Sequence, residues 1–181
     1  MQYVQPIRDL KKIEQIKQIL KDQNERDYML FLLGINTGLR VSDLLRLRVD
    51  DVRGQDIVII KEQKTGKTRR VRISKPIKQE VSKYTRSMSD DDVLFKSRKG
   101  NNSSIGRTQA YRILSEAARQ VGLDEIGTHT LRKTFGYWHY QKNKDMAVLQ
   151  NILNHSSPAM TMRYIGINDD LIDQSLEGFC L

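Results

Sequence analysis

The chain is 181 residues long and carries 31 Lys and Arg against 22 Asp and Glu, a formal charge of +9. That length suffices for one well-packed domain, and the positive balance favours a polyanionic partner, because neutralised phosphates release condensed counterions. Its one cysteine, Cys180, excludes an internal disulfide and cysteine-rich zinc sites. The sequence has no apolar run that could span a membrane and no secretory signal, so we expect a cytoplasmic protein without a membrane partner.

The first part of the sequence predicts three helices. Apolar residues recur in the helical period from Asp9, a residue suited to a helix N-cap, to Leu20. Residues 28–35 are apolar nearly all round, which predicts a central buried helix that breaks at Gly38. Residues 41–47 predict a third, short helix.

The pattern then changes to that of strands. Residues 57–60 form a continuous apolar run, and Val71 alternates with Ile73, so the sequence predicts two strands. Residues 64–67, KTGK, predict the turn between them, which makes a basic β-hairpin.

The second part of the chain returns to helices after Pro76. Residues 96–104, KSRKGNNSS, contain no apolar residue and predict a mobile basic loop. Helical patterns follow over residues 107–121, 129–141 and 146–153, in a short segment opened by Ser157 and Pro158, and over residues 169–178. The predicted fold is mainly α with a small antiparallel β-sheet, in the α+β class.

Six polar residues near glycines or helix ends are the candidates for chemistry: Arg40, Lys64, His129, Arg132, His155 and Tyr164. Each type suits phosphoryl transfer in which side chains supply the positive charge. Each also has a simpler explanation when taken alone. Arg40 is three residues from Asp43 and could simply pair with it, a histidine past a helix end complements the helix dipole, and a lone tyrosine is often a half-buried core residue.

Three stretches carry a specific resemblance: TGLRVSDLLRL at residues 37–47, HTLRKTF at residues 129–135 and LNHSSPAMTMRYIG at residues 153–166. In sequence, order and spacing they resemble the signature stretches of tyrosine recombinases, the phage integrase family. The resemblance covers the chain from about Arg8 onward. It implies the catalytic-domain fold of that family and a site-specific recombinase or integrase that cleaves and rejoins DNA through a 3′-phosphotyrosine intermediate.

The resemblance also implies a role for each matching residue. Arg40 and Arg132 would clamp the scissile phosphate, His129 and His155 would assist them, and Tyr164 would attack. Charge from the arginines would favour the phenolate and stabilise the pentacoordinate transition state. His155 could accept the tyrosine proton or merely orient a phosphate oxygen.

Two further positions, Lys64 and Asn154, are part of this comparison. The hairpin lysine implied by the family is Lys64, as general acid for the leaving 5′-oxygen, although Lys61 and Lys67 flank it. Relatives usually carry glycine before the second histidine, whereas this chain has Asn154. Asparagine tolerates the left-handed backbone, so we expect His155 to keep its position.

The expected partner is double-stranded DNA, with no cofactor and no metal. We expect a monomer in free solution and a homo-tetramer on synapsed DNA. The apolar face of helix 169–178 would pack either on its own domain or on a neighbouring subunit. Residues 1–181 are expected to form a single catalytic domain without the N-terminal core-binding domain of many relatives.

Four alternatives stay open at this point. A type IB topoisomerase uses a similar pocket, and a catalytically silent relative could keep the fold for DNA binding alone. A replication-type nuclease would combine a tyrosine with a histidine-bound metal. A metal site on His129 and His155 is disfavoured because neighbouring arginines would repel a cation.

Overall fold

In the computed structural model, which describes residues 4–180, the chain is mostly helical and has a single β-hairpin. This confirms the predicted fold class. The elements are α1 (Leu10–Gln23), α2 (Glu25–Thr37), α3 (Val41–Leu44), α4 (Val49–Val52), β1 (Ile57–Lys61), β2 (Thr68–Arg72), α5 (Lys75–Tyr84), α6 (Arg107–Arg119), α7 (Thr130–Asn143), α8 (Met146–Leu153), α9 (Pro158–Ile165) and α10 (Ile167–Leu176).

Helix starts follow the capping residues of the sequence. Asp9 caps α1, Asp145 caps α8 and Ser157 caps α9, each accepting a hydrogen bond from a backbone N–H of the first turn. The helix predicted for residues 41–47 ends at Leu44, and α4 was not predicted at all. Both are four-residue helices, too short for the hydrophobic period to define their ends.

The strands β1 and β2 pair antiparallel, in a register that sets Ile57 opposite Arg72 and Lys61 opposite Thr68. The turn is closed by the N–H of Glu62, which donates to the Lys67 carbonyl at 2.9 Å, and by the N–H of Gly66, which donates to the Glu62 carbonyl at 2.9 Å. The predicted KTGK turn is therefore confirmed.

Two glycines bring three helices into close contact. A Cβ at Gly34 of α2 would lie 2.4 Å from Leu131 of α7, and a Cβ at Gly136 of α7 would lie 2.6 Å from Ile165 of α9. Only glycine permits backbones to approach this closely. The chain after α2, the start of α7 and the end of α9 are thereby brought to one region of the molecule.

Within residues 4–180, the hydrogen bonds that join the last helix to the N-terminal segment lie at its start. Arg8 Nε donates to Asp170 Oδ1 at 2.8 Å, and Arg8 Nη2 donates to the Gly166 carbonyl at 3.1 Å. Beyond Ile167 its apolar residues are exposed: Leu171 by 52%, Ile172 by 57%, Leu176 by 58% and Phe179, just past the helix, by 66%. Packing of this apolar face on its own domain, one of the two sequence-based alternatives, is therefore not observed. In the region from 4 to 180 no helix combines the length and apolar character needed to cross a membrane.

The α2–α7 contact gives a stability prediction. Gly34→Val inserts three carbons against Leu131, and overpacking of this kind costs on the order of 2 to 3 kcal/mol of unfolding free energy. Gly106→Val is the matched control, because a Cβ there meets nothing within 4 Å, and it should cost less than about 1 kcal/mol. Urea unfolding of both variants measures the difference, and equal midpoints would show that the helices do not depend on this close approach.

Candidate active site

The site begins at the turn after α2. Gly38 ends that helix in the left-handed conformation, with φ of 60°, and a Cβ there would lie 2.3 Å from the Phe135 ring. Glycine is therefore required at this position both by backbone angle and by space. Arg40, two residues later, has an extended backbone and begins α3.

The Arg132 side chain reaches this turn from α7. Its Nη1 donates to the Gly38 carbonyl and its Nη2 donates to the Leu153 carbonyl, both at 2.6 Å. The residue is only 1% exposed. Arg132 therefore joins the turn that carries Arg40 to the end of α8, and it lies inside the protein rather than on its surface.

Glu62 lies at the centre of the site and was not predicted. Its carboxylate is 2.8 Å from Arg40 Nη1, 3.7 Å from Arg69 Nη1 and 3.9 Å from Arg132 Nη1. The side chain is 1% exposed, and Thr65 Oγ1 donates to it at 2.8 Å. Three arginines far apart in the sequence thus share one buried carboxylate.

Arg40 therefore does not pair with Asp43, the simpler explanation weighed from the sequence. Because Arg40 precedes α3 with an extended backbone, the helical spacing of three residues does not bring the two side chains together. Asp43 Oδ1 instead accepts a hydrogen bond from the Gln63 N–H at 2.9 Å.

Arg69 is the second residue that sequence reasoning missed. From β2 it donates to the carbonyls of Gly38 at 3.1 Å and Thr37 at 3.0 Å. Burial, together with the charge of Arg132, lowers its pKa to about 10. Burial disfavours the charged form of Glu62, but the hydrogen bonds from Thr65 and Arg40 and the charges of Arg40 and Arg132 outweigh it and lower the Glu62 pKa. Glu62 and Arg69 are therefore both charged at neutral pH.

Tyr164, near the end of α9, lies beside both predicted histidines. Its hydroxyl is 3.3 Å from His129 Nδ1, and its ring meets the His155 ring edge-on at 4.9 Å between centroids. His155 Nδ1 is 3.0 Å from Thr161 Oγ1. Lys133 Nζ lies 5.3 Å from the centre of the Tyr164 ring.

Titration at the site is governed by burial. Burial raises the Tyr164 pKa above its ordinary value, while the charges of Arg132 and Arg40 act in the opposite direction. The charges of the two arginines therefore favour the phenolate, as expected from the sequence, but burial outweighs them. Burial and the same two charges lower the pKa of His129 and lower that of His155 to about 4, so both imidazoles are neutral at pH 7.

The backbone before His155 adopts the geometry expected from the sequence. Asn154 has a left-handed backbone, with φ of 52° and ψ of 44°, at the end of α8. Its Oδ1 accepts a hydrogen bond from Lys67 Nζ at 3.3 Å. The asparagine thus takes the left-handed conformation expected from the sequence. Lys67 is bound to this asparagine.

An open cavity of about 550 Å³ lies beside these residues. Of the three hairpin lysines, Lys64 lines it, whereas Lys61 borders a separate small cleft. The polar part of its wall consists of Arg40, Ser42, Gln63, Lys64, Arg107, Thr128 and His129. Arg132 is not on this wall but lies deeper in the protein.

Arg107 is a third residue that was not singled out from the sequence. It occupies the first position of α6, where the helix dipole disfavours positive charge. Its position at the start of a helix could have drawn attention to it in the sequence. Arg40, Lys64 and Arg107 make the cavity wall positively charged, and such a wall can hold a phosphate group.

The histidine pKa shifts predict a pH dependence. Because the folded pKa of His155, about 4, is below its ordinary value of 6.5, the neutral ring stabilises the fold fully above pH 6.5. That contribution decreases as the pH falls towards 4. Imidazole NMR signals recorded from pH 7.5 to 3.5 should show His155 titrating near 4, and a midpoint at or above 6.5 would contradict this description of the site.

Comparison with known proteins identifies the family of the chain. The model of the phage integrase family matches residues 9–170. Probable integrase/recombinase YoeC of Bacillus subtilis (strain 168) is 56% identical over 170 residues, which cover 94% of this chain and 93% of that protein.

Two solved structures share the fold. The crystal structure of XerA recombinase matches with a TM-score of 0.77 at 22% identity, covering 98% of this chain and 65% of that one. The XerH site-specific recombinase bound to palindromic difH substrate, a post-cleavage complex, matches with a TM-score of 0.71 at 19% identity, covering 97% of this chain and 53% of that one. The chain thus spans less than two thirds of either protein.

The matched family model covers most of the sequence, and YoeC is similar along nearly its whole length. Neither the topoisomerase nor the silent DNA-binding alternative is favoured by these similarities. The chain belongs to the phage integrase family of tyrosine recombinases.

Proposed function

We propose that this chain is a site-specific recombinase that cuts and rejoins double-stranded DNA, with Tyr164 forming a 3′-phosphotyrosine bond. The observation that carries the proposal is the convergence of Arg40 and Arg132 on one carboxylate, 2.8 Å and 3.9 Å away, next to the Tyr164–His129 contact. Guanidinium groups that share one carboxylate are close enough to share a phosphate. The difH complex of XerH supports DNA as the substrate class.

DNA binding rests on the charged cavity wall. Arg40, Lys64 and Arg107 bring positive charge to a space of about 550 Å³, in a chain with a formal charge of +9. Such a surface attracts the DNA backbone through counterion release, and phosphate contacts fix the register of the duplex. Phosphate contacts carry no sequence information, so the target site depends on other residues.

Arg40 and Arg132 activate the phosphate in this proposal. An arginine presents several N–H groups in one plane and suits the oxygens of a phosphodiester. Arg132 donates to the Gly38 and Leu153 carbonyls, so a phosphate would be bound through other N–H groups of the same guanidinium. Because charge develops in the transition state, loss of either arginine should lower the rate by about 10² to 10³.

His129 is the proposed general base. An ordinary tyrosine, with a pKa of about 10, is ionised in roughly one molecule in a thousand at neutral pH, and burial lowers that fraction further. A neutral imidazole 3.3 Å from the Tyr164 hydroxyl can accept its proton. His155 Nδ1 is already in contact with Thr161, which supports an orienting role for that histidine.

In the proposed cleavage step, the Tyr164 oxygen replaces the 5′-oxygen on the phosphorus. The Tyr164 Oη–phosphorus bond forms, its proton goes to His129, and the bond from phosphorus to the 5′-oxygen breaks. Lys64, the hairpin lysine on the cavity wall, gives a proton to that leaving oxygen. Since the phosphotyrosine retains the bond energy, a 5′-hydroxyl from another strand can reverse every transfer and rejoin the DNA.

The proposed assembly is a monomer in free solution and a homo-tetramer on two synapsed DNA sites. The exposed apolar residues after Ile167, between 52% and 66% accessible, support a second copy of the chain as their partner. In such an assembly the helix that follows the nucleophile would link neighbouring protomers.

The test is covalent capture without a metal. The protein is incubated in EDTA with a pool of duplexes randomised around a single nick, so that the short fragment carrying the new 5′-hydroxyl diffuses away after cleavage. Denaturing gels should show a protein–DNA adduct, and sequencing of the trapped DNA identifies the site. Arg40→Ala should form the adduct about 10² to 10³ times more slowly, with a smaller effect on binding.

Two tyrosine variants provide the control. Tyr164→Phe removes only the hydroxyl and should abolish the adduct, whereas Tyr140→Phe, which removes a hydroxyl on α7, should leave it unchanged. An adduct that persists in Tyr164→Phe, or that appears only when a divalent metal is added, would rule out the proposed reaction.

A further inference from the structure

The buried carboxylate of Glu62 is not explained by phosphate binding alone. A negative charge at the centre of a site that binds a polyanion opposes that binding. We infer that Glu62 is a positioning residue for strand cleavage: it orients Arg40 and couples the Lys64 hairpin to the arginine cluster. This inference rests on the proposed function.

Glu62 is fixed in place by its surroundings. Its backbone N–H and carbonyl both form hydrogen bonds that close the hairpin turn, each at 2.9 Å. Its carboxylate accepts from Thr65 within the same turn at 2.8 Å. Movement of the carboxylate away from the arginines would break the Thr65 hydrogen bond as well as the ion pairs, which favours a fixed position for this group.

Its contact with Arg40 involves one nitrogen only. Nη1 is buried and lies 2.8 Å from Glu62 Oε2. Arg40 also lines the cavity, and across residues 4–180 no hydrogen bond involves its Nε or Nη2. Glu62 thus holds the inner nitrogen of the guanidinium and leaves the other two available for a phosphate.

The same carboxylate positions the hairpin. Glu62 is two residues before Lys64, and the intervening Gln63 N–H is bound to Asp43 of α3 at 2.9 Å. The ion pair of Glu62 with Arg40 and the Gln63–Asp43 hydrogen bond both join the hairpin to the segment after α2. Glu62 therefore sets the distance between the proposed general acid and the phosphate-binding arginine.

A different role for Glu62, as a competitor of the phosphate, predicts the opposite effect on the cleavage rate. If Glu62 only competed with the phosphate for the arginines, its removal would strengthen DNA binding and leave cleavage equally fast or faster. A positioning residue gives slower cleavage, although binding is unchanged or tighter. The two effects are separated by measuring binding and single-turnover rate independently.

The experiment compares Glu62→Gln with wild type on a duplex recovered by adduct capture. At saturating DNA, Glu62→Gln should cleave about 10- to 100-fold more slowly, as observed when partners that orient catalytic groups are removed. Its Kd for DNA, from fluorescence anisotropy, should be unchanged or lower. Glu62→Asp retains the charge and should cleave faster than Glu62→Gln.

Two further variants test how Glu62 acts. In an Arg40→Ala background, Glu62→Gln should change the rate little further, because the effect passes through Arg40. Glu80→Gln is the matched control, since Glu80 pairs with Lys21 and Lys83 at a surface remote from the cavity, and it should cleave like wild type.

The cleavage rates of these variants separate failure of the inference from failure of the proposed function. Wild-type cleavage or faster cleavage by Glu62→Gln overturns the inference, and so does a rate loss that Glu62→Asp does not reduce. If Glu62→Gln does not fold, Thr65→Ala, which removes one hydrogen bond to the carboxylate, should still slow cleavage several-fold with unchanged Kd. An unchanged rate for Thr65→Ala then overturns the inference. Absence of any wild-type adduct is instead a failure of the proposed function.

Discussion

The Arg132 guanidinium ties together two parts of the chain that are distant in sequence. It donates to the Gly38 carbonyl after α2 and to the Leu153 carbonyl at the end of α8, both at 2.6 Å, from a side chain that is 1% exposed. A hydrogen bond from a charged donor contributes about 1.5 to 3 kcal/mol, and its loss leaves a buried carbonyl without its partner. The segment carrying Arg40 and the segment leading to Tyr164 are therefore held in register by a residue that the proposed reaction also uses.

The charges around Glu62 leave a positive excess. Arg40, Arg69 and Arg132 surround this one carboxylate. The histidines stay neutral because they are buried next to positive charge, and burial keeps the Tyr164 phenol protonated. In the proposed mechanism the nucleophile is therefore inactive until DNA arrives, and proton transfer to a neutral imidazole accompanies attack.

The sequence predicted the helices and the hairpin because their signals are local. Caps such as Asp9 and Asp145, and the change from helical to alternating period at the hairpin, depend on neighbouring residues alone. The three signature stretches indicated five candidate residues, and the hairpin indicated a sixth, Lys64. Five of these lie at the cavity or at the Tyr164 ring, and Arg132 lies behind them.

The remaining features depend on contacts between distant residues. A glutamate and an arginine in a basic hairpin look like solvent-exposed residues, yet Glu62 and Arg69 are buried because α2 and α7 supply their partners. The Arg40–Asp43 ion pair considered from the sequence does not form. Arg40 has an extended backbone before α3, so the three-residue spacing of a helix does not apply to it. The sequence likewise could not show what covers the apolar face of α10. The hydrophobic period of a helix is the same whether that face packs on its own domain or on another subunit.

The most direct measurement is a crystal structure of Tyr164→Phe with an uncleaved duplex. We expect one phosphate inside the cavity, within hydrogen-bonding distance of Arg40 and of uncovered N–H groups of Arg132, while Arg132 keeps its bonds to the Gly38 and Leu153 carbonyls. A phosphate bound elsewhere, or an Arg132 that leaves both carbonyls to reach it, would contradict a site organised by that buried guanidinium.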